Sequence, residues 1–322
     1  MEKTPFDPHI RTINIRKDLT AVADLIDLAF ADHMDDEGRD YLRHIRMISR
    51  SLGGYLVDGT TPETSQFPFH GYLWEEDHRI IGNLTLIPVR KREPGSYFIA
   101  NVAVHPDFRG RGIARQLTDR AIVHVRQHQG KTVYLQVRED NPPAIHIYQQ
   151  TGFEEFSRRT SWVVDGSRLT GRPNTSITVT RRKKSDWQQQ LHWLRDIYPE
   201  TISWNLPYSL DRLQPGFINQ VNNFLNGFVV RSLSAYQQSR LIGIATFERG
   251  FAVNDYIWLA SSPVWEDSAI STLIPRLIAR SFKPRRILVN YPANRGVEAF
   301  TSCGMRPLHT LIWMKLAISL NL

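Results

Sequence analysis

The chain has 322 residues, 41% hydrophobic and 22% charged, a globular composition with length enough for two domains. Its formal charge of +8 draws anions, and a nucleotide cofactor meets that demand as well as nucleic acid does. The single cysteine, Cys303, excludes a disulfide framework and every multi-cysteine zinc site, so no metal is expected and a reducing, cytoplasmic setting is.

In chain order, Thr12-Ile13-Asn14-Ile15-Arg16 alternates as a strand does. Val22, Leu25, Ile26, Leu28, Ala29 and Phe30 then mark one face of a helix. No signal-type apolar core occupies residues 1–16, and no later run approaches the roughly 20 residues of a membrane span, so no membrane partner is expected. The acidic run Asp32-His33-Met34-Asp35-Asp36-Glu37 either attracts a cationic amine or forms a solvated loop. Phe67-Pro68-Phe69-His70-Gly71-Tyr72 reads as a groove wall or as hairpin packing. Phe98 to Val104 reads as a buried strand, ending at His105-Pro106, where proline cannot donate to a ladder. The glycine-rich stretch 108–114 then enters a helix marked by Ile113, Leu117, Ala121, Ile122 and Val125. Tyr134-Leu135-Gln136-Val137-Arg138 is the next strand, and a last helix runs from Asn141-Pro142-Pro143-Ala144 to Tyr148, before Gly152-Phe153.

The second half repeats this order. Ser176 to Thr180 echoes the first strand, and a helical stripe through Trp187, Leu191, Leu194 and Ile197 follows it. Arg79-Ile80-Ile81-Gly82 returns as Arg240-Leu241-Ile242-Gly243, and the stretch 101–106 as 258–263. Tyr148 to Phe153 returns as Phe300 to Met305. Ordered echoes of this kind predict two copies of one domain, with the boundary in the Gly- and Pro-rich stretch 165–174. Each copy reads as a mixed α/β sheet with helices on both faces. The basic run Arg181-Arg182-Lys183-Lys184 carries no interleaved aromatics and reads as a solvated strand end, which does not favour nucleic acid as the partner.

The stretch Arg109-Gly110-Arg111-Gly112-Ile113-Ala114 has the physics of an anion site. A helix N-terminus leaves N–H groups unpaired and partly positive, two glycines admit a phosphate to the backbone, and Arg109, Arg111 and Arg115 add charge. This segment resembles the signature of the GNAT superfamily of acyl-CoA-dependent N-acetyltransferases, Arg/Gln-x-x-Gly-x-Gly/Ala, at Arg109, Gly112 and Ala114. The series Asn141, Tyr148, Gly152-Phe153 is similar to that family's other hallmark. The resemblance is strong from about residue 72 to 162 and weaker before it.

It implies two tandem GNAT-type domains, residues 1–170 and 174–322, each a mixed, mostly antiparallel sheet flanked by helices. It further implies that Val102, Ala103 and Val104 pair with the pantetheine arm of acetyl-CoA, one of their amides polarising the thioester carbonyl. Amides of Arg109, Gly110, Arg111, Gly112, Ile113 and Ala114 are expected to hold the pyrophosphate, Asn141 to bond the pantetheine region, and Tyr148 to act as general acid. The expected activity is acetyl transfer by direct attack of a primary amine, on a small molecule, peptide or protein. The family pattern breaks at the base: Gln136 stands where many relatives carry glutamate, and Ala100 and Asn101 stand where others place a carboxylate. Glu139 and Asp140 read as caps of the following helix. A non-catalytic CoA-binding sensor or scaffold is therefore the alternative. In the second copy Glu266-Asp267-Ser268-Ala269-Ile270-Ser271 replaces the phosphate segment and Phe300 replaces Tyr148. That copy is expected to be degenerate and to repel CoA.

Overall fold

The computed structural model describes residues 7–52, 70–89, 92–164, 176–251, 253–279 and 285–319. Phe67, Pro68, Phe69 and the stretch 165–174 lie outside them. Residue contacts divide the chain into two compact units: Met1–Ser157 with Ile312–Leu322, and Arg158–Leu311.

The first unit opens with strand β1 (Ile10–Thr12) and helices α1 (Ile15–Ala29) and α2 (Asp36–Leu52). Strands β2 (Gly71–Glu76), β3 (Arg79–Pro88) and β4 (Ser96–Val104) follow, then α3 (Ile113–Gln127), β5 (Thr132–Arg138), α4 (Pro142–Gln150) and β6 (Glu154–Val164). The first strand ends earlier than the alternation 12–16 predicts. Asn14 turns the chain, its side chain accepting from the Arg16 amide, and α1 begins at Ile15; a good N-cap wins over a short β-like pattern. The strand order is β1-β2-β3-β4-β5 and then β12 (Arg306–Ala317). Only β4–β5 is parallel among the pairs whose register is resolved; β1–β2, β2–β3 and β3–β4 are antiparallel. One core lies under α3 and α4, with Leu84, Leu86, Leu117, Val133 and Leu135 at its centre. The chain's far end supplies Ile312, Met314 and Ile318 to that core. A second cluster packs α1 and α2 on the sheet through Val22, Ala23, Ile26 and Leu42.

The second unit holds β7 (Ile177–Arg181), α5 (Trp187–Ile197), α6 (Glu200–Ser203), α7 (Leu210–Leu213) and α8 (Phe217–Leu225). Then come β8 (Val229–Gln237), β9 (Arg240–Arg249), β10 (Asp255–Ser261), α9 (Glu266–Ala279), β11 (Ile287–Pro292) and α10 (Val297–Ser302). The strand order is β6-β11-β10-β9-β8-β7. Trp193 and Trp258 fill its core, joined there by Trp162 from β6, while Trp313 belongs to the first unit.

Register identifies the two units as copies. Gly82 pairs with Val104 in the first, and Gly243 pairs with Ser261 in the second. The next amide repeats too: His105 donates to Ile81 and Ser262 to Ile242. Both glycines let a helix approach the sheet. A Cβ at Gly82 would sit 2.8 Å from the Ile113 side chain, and one at Gly243 would sit 2.6 Å from the Ala269 Cβ.

Candidate active site

The parallel register of β4 and β5 runs from Ser96/Thr132 to Ile99/Leu135 and stops. Beyond it, residues 100–104 of β4 have no β5 partner among the described residues, so the two strands splay and leave main-chain groups for a ligand. Of the expected pantetheine-binding residues, Ala103 is buried while Val102 and Val104 are half-buried. A bulge begins where the strands part. Asn83 pairs with Ala103 but Thr85 pairs with Ala100, so Leu84 faces two residues, Asn101 and Val102. Asn101 takes up the turn with φ of +52°, a left-handed conformation that asparagine tolerates better than most residues. Two side chains hold it there. Its carbonyl accepts from Asn83 Nδ2 at 2.8 Å, and its own Nδ2 donates to the Tyr41 hydroxyl at 2.6 Å. Burial pushes the Tyr41 phenol above its ordinary range, so that hydroxyl stays protonated.

The chain leaves β4 through a short turn, Pro106–Phe108, and reaches α3 by way of Gly110 and Gly112. Both glycines are left-handed, φ +81° and +77°, and a Cβ on either would meet nothing within 4 Å. Glycine is thus required by backbone angle, and the space above it is open to a ligand. Gly112 is the N-cap and offers no side chain to the first turn of α3, whose orphan N–H groups remain available to an anion. Ile113, next in line, is buried and anchors the turn to the core, with Ala114 half-buried behind it.

The arginines are more committed than their sequence spacing suggests. Arg109 donates to the Ala29 carbonyl at the end of α1, 3.0 Å away. Arg111 forms a two-pronged pair with Glu76, at 2.8 and 3.2 Å, and this hydrogen bonding holds the Glu76 carboxyl below its usual range. Arg115 lies 3.9 Å from Asp119. The arginines are thus engaged, and the turn leaves backbone amides rather than guanidinium groups open at the start of α3.

Across the splay, Asn141 caps α4, its Oδ1 accepting from the Ala144 amide at 3.2 Å. Its Nδ2 is not used in that cap. The cap is thus Asn141, not Glu139 or Asp140, because Arg138 claims Asp140 with two bonds of 2.8 and 2.7 Å. Hydrogen bonding to Arg138 keeps Asp140 below the ordinary carboxylate range. Tyr148, on α4, is 6% exposed and packs edge-on to Phe153 at 5.9 Å. No partner for its hydroxyl is found among the described residues, and burial alone raises its pKa, which keeps the proton on the ring oxygen at neutral pH.

The acidic run after α1 begins α2. Asp35 Oδ1 accepts from the Gly38 amide at 2.8 Å and caps the helix start, while Asp36, in the first turn, pairs with Arg39 at 2.7 Å. Of the aromatic run 67–72, Tyr72 on β2 is buried, its hydroxyl 2.8 Å from His124 Nδ1. Sequence reasoning missed Tyr41 and Asn83, because nothing local marks a residue that braces a bulge from another element. Among the described residues, no helix is long and apolar enough to cross a membrane, and no three His, Cys, Asp or Glu side chains form a metal-holding group.

The second unit has the same splay in another state. β10 and β11 pair at Asp255/Ile287 and Tyr256/Leu288 only. The Leu259 amide beyond that point donates to the Tyr198 hydroxyl at 3.3 Å. Arg159, 2% exposed, lies over the Tyr198 ring and bonds the Ile197 carbonyl at 2.8 Å. Glu266, 8% exposed, stands in the first turn of α9 and is bound by Arg295. Phe300 is fully buried, stacked on Trp162 at 4.9 Å.

Residues 35–153 match the model of the acetyltransferase (GNAT) family. The chain is 34% identical over 90 residues to a mycothiol acetyltransferase of Rhodococcus jostii, covering 27% of this chain and 30% of that one. It is 32% identical over 89 residues to the N-alpha-acetyltransferase RimI of Mycobacterium tuberculosis, covering 27% and 54%. The match thus spans less than two thirds of either relative. Among solved structures, a GCN5-related N-acetyltransferase from Sphaerobacter thermophilus is similar over 97% of both chains, with TM-score 0.58 and 13% identity. A tandem GNAT protein from the clavulanic acid biosynthesis pathway is similar over 96% of this chain and 98% of that one, with TM-score 0.50 and 14% identity.

Proposed function

We propose, from the premise that residues 35–153 are a domain of the acetyltransferase (GNAT) family and that the chain has the tandem GNAT fold, that the first unit transfers an acetyl group from acetyl-CoA to a primary amine. One observation carries the reading: the splay beyond Ile99 and Leu135 opens beside an uncapped, glycine-turned helix start with room above both glycines.

The residues present fit acetyl-CoA, which would supply the activated acetyl thioester. Amides from Arg109 to Ala114 hold a pyrophosphate at the positive end of α3. The unpaired edge of Val102 to Val104 receives an extended arm by main-chain pairing, as an added strand would. The bulge at Asn101 aims an amide at the acyl oxygen, where a fixed donor is worth most as charge develops. Asn141 contributes its unused Nδ2. Tyr148 holds a proton at its hydroxyl for the departing thiolate. Gln136 cannot accept a proton and Asp140 is tied to Arg138, so the amine arrives neutral or loses its proton to solvent. The names of relatives, an N-alpha-acetyltransferase and a mycothiol acetyltransferase, support the reaction class and leave the acceptor open between small molecule, peptide and protein.

A CoA-binding sensor without turnover is the second reading, favoured by the same lack of a carboxylate at Gln136. Calorimetric titration with acetyl-CoA, followed by thiol-release assays over small amines and peptide N-termini, separates them. One site per chain with release on one amine class is expected. Binding without release on any amine hands the site to the sensor reading, and no binding overturns both.

A further inference from the structure

Helix α8 is amphipathic in reverse. On its inner side Asn219 Nδ2 donates to the carbonyls of Asp211 at 2.6 Å and Gln214 at 2.7 Å. Asn223, 8% exposed, donates to the Arg212 carbonyl at 2.9 Å. These acceptors lie at the C-terminal end of α7, where the Asp211 carbonyl also accepts from the Gln214 amide. The helix is thus held by amide hydrogen bonds, and its apolar side is not needed to attach it. That side faces solvent: Phe217, Ile218, Phe224 and Leu225 are 80, 77, 79 and 74% exposed. Beside them Phe251 is 84% exposed, yet it has a fixed seat. A Cβ on Gly227 would come within 2.7 Å of its ring, and Phe228 meets it edge-on at 6.1 Å. Contiguous apolar surface of this kind marks a docking site on a water-soluble domain.

We propose that a second copy of this chain docks here, α8 against α8 about a two-fold axis. Residues 217–229 include no charged side chain. Two chains of net charge +8 can therefore meet α8 to α8 without opposing like charges along that helix, with Arg212 and Arg285 at the rim, and a two-fold contact places the same patch on both sides. The area also suits. A phenylalanine offers on the order of 150 Å², so three of them with Ile218 and Leu225 approach the roughly 800 Å² per partner of a standard interface. A membrane surface selects helices with Lys and Arg along the polar side, whereas the polar side of α8 is asparagine, spent on α7.

The test is sedimentation over a micromolar concentration series, on the full chain and on the double variant Phe217→Asp with Phe224→Asp. The wild-type chain is expected to dimerise, and the variant to associate at least tenfold more weakly, since central aromatic anchors dominate such contacts. Its circular dichroism should match the wild type, and its thermal midpoint should match that of wild-type chain diluted below the dimer range. An independent arm uses Val221→Cys with a short bis-maleimide: Cys303 is buried, so a covalent dimer reports α8 meeting α8, and Arg126→Cys should give none. A wild-type chain that stays monomeric overturns the proposal. So does a dimer that survives the double substitution, or one that is not cross-linked through Val221→Cys. Co-flotation of a monomeric chain with anionic vesicles, lost in the double variant, would assign the face to a membrane instead.

Discussion

The two units carry the same cleft and use it in opposite ways. In both, a parallel strand pair parts after two to four residue pairs, at Ile99/Leu135 in one and Tyr256/Leu288 in the other. In the first unit the strand beyond the parting bulges at Asn101, and the helix that follows starts on bare glycine. In the second the β9–β10 register runs without a shift, the Leu259 amide is answered by Tyr198, and the helix start is answered by Glu266. A helix N-terminus attracts negative charge whatever its source. The chain supplies that charge itself in one unit and leaves the helix start on a bare glycine in the other. An open cleft leaves polar groups unpaired, which costs stability. Filling it from within removes that cost in the second unit.

Five tests break or sharpen this contrast. Tyr148→Phe gives the first unit the ring that the second has at Phe300. It should lower kcat by roughly 100-fold or more, the usual worth of a general acid, with KM for acetyl-CoA unchanged. Because the hydroxyl has no partner among the described residues, the thermal midpoint should hold, which distinguishes lost proton transfer from lost packing. Gly112→Glu imposes both an acid and a side chain at φ +77°. Strain and charge repulsion together should weaken acetyl-CoA binding roughly 100-fold by calorimetry. Glu266→Gln in the second unit should leave the stoichiometry at one site per chain, because Tyr198 and Arg159 still occupy that splay. Two sites would break the contrast.

Gly82→Ala and Gly243→Ala test the shared framework. Each forces a methyl into a helix–sheet contact and should cost about 1–3 kcal/mol in denaturant unfolding, by similar amounts in the two copies. The smallest effect concerns acid. Burial, then His70 and His128, lowers His124 to about 4, below the ordinary imidazole value of about 6.5. Between those values the unfolded chain binds the extra proton, so stability should fall as pH drops from about 6.5 towards 4. A thermal midpoint less sensitive to that drop in His124→Asn would tie the loss to this group.

Much of the site was legible because its requirements are local. A left-handed turn demands glycine at 110 and 112, and an apolar strand betrays itself by composition. The failures share one cause. The arginines at 109 and 111 read as free charge until Ala29 and Glu76 were seen to hold them. The acids at 35 and 36 were open between substrate attraction and a loop until their own helix claimed them. The cap read at 139 or 140 fell to Asn141 because Arg138 takes Asp140.

By itself the sequence determined the doubling of the domain, the glycine turn and the loss of that turn in the second copy. Each of these is written in neighbouring residues or in the order of repeated ones. Only the tertiary structure decided the rest. Asn101 is held in its bulge by a tyrosine 60 residues away. The first core is completed by residues 312–318, and the second splay is filled by Arg159 and Tyr198. Helix α8 turns its asparagines inward because carbonyls at the end of α7 accept from them. Backbone angle and periodicity belong to a segment, whereas the partner of a hydrogen bond or the filler of a gap is set by whichever distant residue the fold brings within reach.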